Sequence, residues 1–124
     1  SIKVLELSDM LMLITILSLP CLANTSKLLR SLTDMGYVPK EKIKVVLNRY
    51  LKRGEISLSD AEAGIGKELF WVVPNDYDTS MSSINSGKPL LNVAPGAAIT
   101  KSFLEMAKSL NDPEAGKQKS KSLF

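Results

Sequence analysis

The run from Met10 to Leu19 reads MLMLITILSL, is almost wholly apolar, and meets Pro20 at once. A membrane-spanning helix needs about 20 consecutive apolar residues, so this run is too short to cross a bilayer. A secretory leader would carry basic residues ahead of it and small residues at a cleavage site. Here Glu6 and Asp9 precede it. The reading left is a strand, about Met10 to Leu17, with apolar side chains for both faces. Strands buried on both faces belong to parallel sheets covered by helices on either side.

The rest of the chain alternates in the way such a sheet requires. Asn24, Thr25 or Ser26 can cap a helix by accepting a backbone N–H. Leu28, Leu29, Leu32 and Met35 recur along one side of it, and Gly36 stops it. Ile43 to Asn48, IKVVLN, is rich in branched residues and reads as a second strand. After a loop broken by Gly54, Ser59 and Glu62 have capping-box spacing, so a short helix is expected to end at Gly64 or Gly66. Leu69 to Val73 reads as a third strand, with Phe70 and Trp71 as core residues. Thr79 or Ser80 then starts a helix ending near Gly87. Ala97 to Leu110 places Ile99, Phe103, Met106 and Leu110 at helical spacing.

Strands alternating with helices give an α/β fold: a three-layer parallel sheet with flanking helices and right-handed crossovers. Three strands are few for such a sheet, and the chain starts almost on a buried one. We therefore expect residues 1–110 to be the C-terminal part of a larger α/β domain. The uncovered edge and face of the first strand are expected to be covered by another chain. Residues 111–124 hold Asp-Pro, Gly and alternating lysines with few apolar residues, and read as a flexible, solvated tail.

Composition narrows the chemistry. The chain has no histidine, which removes the commonest metal ligand and the usual general base. Its one cysteine, Cys21, rules out an intrachain disulfide, fits a reducing compartment, and is expected to be a small buried residue. Ser57, Ser59, Ser80, Ser82 and Ser83 lack a base and a nucleophile elbow, and read as caps and turns. A net charge of +3 is too small to argue for nucleic acid by itself.

In open parallel sheets, ligands bind beyond the carboxyl ends of the strands. Asn48 ends the second strand; Pro74, Asn75 and Asp76 end the third. An Asn amide can pair with the N6 and N7 edge of adenine, and a proline-bearing turn offers a base an apolar wall. The alternative for Asn48 is a hydrogen bond to the turn that follows it. Tyr77 could lie over a base or pack on the rim.

The same residues carry a family resemblance. Val46-Leu-Asn-Arg49, Ile65-Gly-Lys-Glu-Leu-Phe70, Val73-Pro-Asn-Asp76, Ile84-Asn-Ser-Gly-Lys-Pro-Leu90 and Ala94-Pro95 resemble the C-terminal half of MinD/ParA-type P-loop ATPases. The flavour is that of the CpaE/TadZ branch, linked to assembly of Flp (tight-adherence) pili. Asp9 with its strand, and Leu19-Pro-Cys-Leu-Ala-Asn24, extend the resemblance from about Leu5 to Leu110. It implies a cytoplasmic ATP-binding protein, with Mg in the intact parent, that acts as a dimer at the inner membrane surface or cell pole. Its implied partners are itself and other pilus-assembly or polar proteins, with no specific nucleic acid and only peripheral membrane contact. It places Asn48, Pro74, Asn75 and Asp76 near the adenine.

The family's phosphate loop has no counterpart here. The nearest imitation, Ala63-Gly-Ile-Gly-Lys-Glu68, has Glu where a hydroxyl should meet Mg²⁺, and precedes a strand instead of following one. The chain alone is therefore not expected to hydrolyse ATP. Two other readings remain open at this point: a non-enzymatic localisation scaffold with a degenerate nucleotide site, and a ParA-like DNA-partition ATPase, which would need a basic surface patch.

Overall fold

The computed structural model describes residues 2–112; of the expected tail, 111–124, Asn111 instead ends the last helix, and residues 113–124 lie outside the described part. The element order is α1 (Ile2–Leu7), β1 (Leu11–Ile16), α2 (Leu19–Asp34), a 3-10 turn (Lys40–Lys42), β2 (Ile43–Tyr50), α3 (Leu58–Ile65), β3 (Leu69–Pro74), α4 (Tyr77–Ser86), α5 (Leu90–Val93) and α6 (Ala98–Asn111). Strands β1, β2 and β3 form one parallel sheet in that order. In the β1–β2 pair, Leu11 lies opposite Ile43 and Ile16 opposite Asn48. The expected α/β sheet with flanking helices is the observed fold. The short helices α1 and α5 were not legible from periodicity.

The described residues form two compact units: 2–48 with 52–72, and 49–51 with 73–112. The first unit holds most of the core. Val45, Val46 and Leu47 are consecutive and all buried, so β2 has apolar neighbours on both faces. On β3, Leu69, Trp71 and Val73 are buried and alternate with half-buried residues. Phe70 is one of those half-buried residues: the Lys44 ammonium stands 4.5 Å from its ring centre. Helix α2 contributes Leu22, Leu29 and Leu32 to the core and packs on α3 and β1.

The first strand departs from expectation. The strand buried on both faces is β2, not β1. On β1 only Thr15 is buried, and Ile14 is 60% exposed. The reason is position: among the described residues β1 is an edge strand with a single neighbour.

Helix starts also moved. Helix α2 begins at Leu19 and not near Asn24, because the Ser18 hydroxyl accepts from the Cys21 N–H at 3.4 Å. Pro20 sits in the first turn, where its missing N–H has no intrahelical partner to lose. Thr25, expected as a cap, instead donates to the Cys21 carbonyl at 2.7 Å inside the helix. Cys21 itself is half-buried, not buried. The α3 capping box is Ser57 with Asp60, not Ser59 with Glu62. The Ser57 hydroxyl accepts the Asp60 N–H at 3.0 Å, which fixes that earlier start, and Glu62 is used elsewhere, accepting the Leu69 N–H at 2.8 Å.

In the second unit, α4 packs on α5. Along α6, Ile99 is buried as expected, but Thr100 and Ser109 are its other buried residues, and Phe103 is 39% exposed. Thr100 is satisfied by donating to the Ala94 carbonyl at 2.6 Å, which lets a hydroxyl take a place on the buried side.

Candidate functional site

The carboxyl ends of β2 and β3 carry the residues singled out from sequence. Asn48 is half-buried near the end of β2, opposite Ile16. Its side-chain amide makes no hydrogen bond among the described residues, so the turn bond considered as the alternative is not formed. The strand does not stop there; it runs on to Tyr50. Between them, Arg49 has φ 57°, the one non-glycine residue with positive φ among those described. The left-handed region costs an L-residue roughly 1–2 kcal/mol. Such positions persist where the surroundings impose them. No residue pattern announced this feature, since arginine has no preference for that conformation.

In the second unit, the Tyr50 carbonyl accepts the Asn75 N–H at 3.0 Å. That bond fixes the main chain of the Pro74–Asp76 turn while leaving the exposed Asn75 side-chain amide without a partner among the described residues. Pro74 is the last residue of β3 and is half-buried. Asp76 is the N-cap of α4: its Oδ1 accepts the Thr79 N–H at 3.1 Å. The helix thus begins at Tyr77, two residues before the first expected start, because a carboxylate satisfies an amide that would otherwise be orphaned. Asp76 has a structural task that the sequence reading did not give it. Tyr77 is 63% exposed.

Each unit therefore presents an unengaged Asn amide at the end of a strand, Asn48 on the first and Asn75 on the second. An amide supplies an acceptor and two donors, which suits the edge of a purine or a peptide group. The phosphate and metal ends of a nucleotide are not matched in this way. Among the described residues, no group of three or more His, Cys, Asp or Glu side chains could hold a metal ion. The Ala63–Glu68 stretch is the C-terminal end of α3, capped by Gly66 at φ 84°. That end of a helix presents carbonyls and the negative pole of its dipole. Its lysine, Lys67, donates to the Lys40 carbonyl at 2.7 Å. Burial, then the neighbouring Lys40 and Lys44 charges, hold the Lys67 ammonium below the usual lysine pKa. No helix among the described residues is long and apolar enough to cross a membrane.

No protein-family model matches the sequence, and no curated protein sequence does. Solved structures do match. A ParA family ATPase from Chlorobium tepidum TLS superposes with a TM-score of 0.79 at 30% identity, covering 86% of this chain and 44% of that one. The septum site-determining protein MinD from Pyrococcus horikoshii OT3, complexed with Mg-ADP, gives 0.70 at 24% identity, over 86% of this chain and 43% of its own. A chain of the MinC:MinD cell division protein complex of Aquifex aeolicus gives 0.71 at 18% identity, over 83% of this chain and 43% of that one. The structural neighbours are thus ParA/MinD-family ATPases, and the chain has the fold of a part of them. It spans less than half the length of each.

Proposed function

We propose that this chain is the C-terminal part of an ATP-binding MinD/ParA-type protein, and that it supplies the base-facing side of the nucleotide site. The observation that carries this reading is the fold match to a ParA family ATPase at 30% identity over 86% of this chain. The unengaged amides of Asn48 and Asn75 support it, since both stand at carboxyl ends of parallel strands, where such folds bind ligands. In this proposal Asn48 and Asn75 offer amides to adenine, Pro74 offers an apolar wall, and Asp76 holds the turn by capping α4. The phosphate loop and the carboxylates for Mg²⁺ come from the part of the protein that this chain does not span. ATP with Mg is the cofactor of the whole protein, in keeping with the Mg-ADP of the Pyrococcus horikoshii MinD structure. Hydrolysis is not a property of this chain by itself.

We further propose the CpaE/TadZ branch, with pilus assembly and polar localisation as the process. The Leu-Asn-Arg, Pro-Asn-Asp and Gly-Lys-Pro stretches support that branch. The mechanism is nucleotide-dependent dimerisation, so that bound ATP sets which partner is held. The MinC:MinD complex is a precedent for a partner protein on this fold. Base preference tests the reading. The whole protein should bind ATP in preference to GTP, and Asn48→Ala should erase most of that preference, since a bidentate amide–adenine pair is worth roughly 1–3 kcal/mol. Equal binding of ATP and GTP, unaffected by Asn48→Ala, would remove Asn48 from the base site.

A further inference from the structure

Within the first unit, a cavity of about 330 Å³ opens between α2 and the last turn of α3. Leu29 and Ile65, both buried in the core, form its apolar floor, and Arg30 and Lys40 are the charged residues that line it. No carboxylate among the described residues lines it. Neither cation has an ion-pair partner among the described residues, and both are exposed. Lys67 lies beside Lys40, its ammonium bonded to the Lys40 carbonyl.

Gly64 adds an independent observation. It sits inside α3, where glycine is less stable than alanine. Its φ is not positive, and a Cβ built there meets nothing within 4 Å. Neither conformation nor packing requires glycine at this position. What glycine does there is leave the cavity wall open.

We propose that this cavity is the docking site of an acidic peptide segment from a partner protein, whose carboxylates meet Arg30 and Lys40 and whose apolar side chain enters over Leu29 and Ile65. Charge complementarity selects that occupant. A free phosphate has no N–H donor to offer the carbonyls at the helix end beside it. Those same carbonyls suit the main-chain N–H groups of a peptide. A nucleic acid duplex needs a continuous run of cations. Here Glu41 and Glu68 lie among the lysines and act on Lys67. The site goes beyond the nucleotide reading and is separate from it: Lys40 precedes the start of β2, while Asn48 lies roughly 16 Å along that strand from Ile43.

Isotope-labelled chain titrated by NMR provides the test. The probes are a short peptide of alternating Glu and Leu, its Gln-and-Leu counterpart, inorganic phosphate, and a short DNA duplex. The Glu peptide should shift the amides of Arg30, Lys40 and Gly64, and the Gln peptide should do so more weakly. Arg30→Gln and Lys40→Gln should each lower affinity by roughly 2–5-fold. Gly64→Leu should abolish binding while leaving the fold as stable as before or more so. Asn48→Ala should leave peptide binding unchanged. The proposal is overturned by unshifted Arg30, Lys40 and Gly64 amides at millimolar Glu peptide. Full binding by Gly64→Leu also overturns it, as does a stronger response of these amides to phosphate or to DNA.

Discussion

Replacing Asp76 by alanine removes the cap of α4. The Oδ1 acceptor stands 3.1 Å from the Thr79 N–H, and losing such a cap costs about 1 kcal/mol. A negative charge at a helix N-terminus adds roughly 0.3–1 kcal/mol, so the alanine variant should lose about 1–2 kcal/mol in all. Asp76→Asn keeps an acceptor of equal capping rank and loses only the charge, so its cost should be about 0.3–1 kcal/mol. Urea denaturation followed by circular dichroism reads both. With a slope of roughly 2 kcal/mol per molar, the alanine midpoint should fall by about 0.5–1 M and the asparagine midpoint by less than half a molar. The reasoning fails if alanine leaves the midpoint in place, or if asparagine costs as much as alanine. Because the effect acts on α4 itself, it should appear without nucleotide, which separates the cap from any role at a base.

Three other outcomes follow from particular residues. Gly66 caps α3 at φ 84°, so Gly66→Ala should destabilise by roughly 1–2 kcal/mol, whereas Gly64→Ala, two residues earlier, should stabilise by roughly 0.5–1 kcal/mol; the same denaturation series checks both signs. Lys67 has its folded pKa lowered from 10.5, first by burial and then by Lys40 and Lys44. The unfolded chain then holds more protons between the two pKa values, so stability should rise with pH as the window up to 10.5 is crossed, and Lys67→Gln should flatten that rise. The uncovered edge of β1, with Ile14 60% exposed, should make this chain self-associate in light scattering, and Ile14→Lys should return it to the monomer mass; a wild-type monomer at high concentration would contradict this.

The sheet was legible because its signals are local. Branched residues at Ile43–Leu47 and the short apolar run at Leu69–Val73 are strand signals carried by the residues themselves. Which strand is buried on both faces was not legible, because that depends on neighbours: β1 is the more apolar of the two, yet among the described residues only β2 lies between two others. The helix starts at Leu19, Leu58 and Tyr77 were each misplaced for one reason. Several Ser, Thr, Asn and Asp residues near each start are competent caps, and the three-dimensional positions of Cys21, Asp60 and Thr79 N–H groups choose among them. For the site, residue types at strand ends pointed to Asn48, Pro74, Asn75 and Asp76. Sequence did not foresee that Asp76 is engaged as a cap, nor the left-handed Arg49. The cavity over Leu29 and Ile65 was invisible as well, because it is made by packing α2 against α3 and not by any motif.

Calorimetry of Mg-ATP and ADP binding, on this chain and on the longer protein, with Asn48→Ala in each, tests the central proposal most directly. The account predicts no measurable binding by this chain alone, binding by the longer protein, and roughly tenfold or greater weakening by Asn48→Ala, the equivalent of about 1.4 kcal/mol or more. Absence of binding by the longer protein would contradict it. The chain would then be a localisation scaffold that keeps the shape of a nucleotide rim without its use.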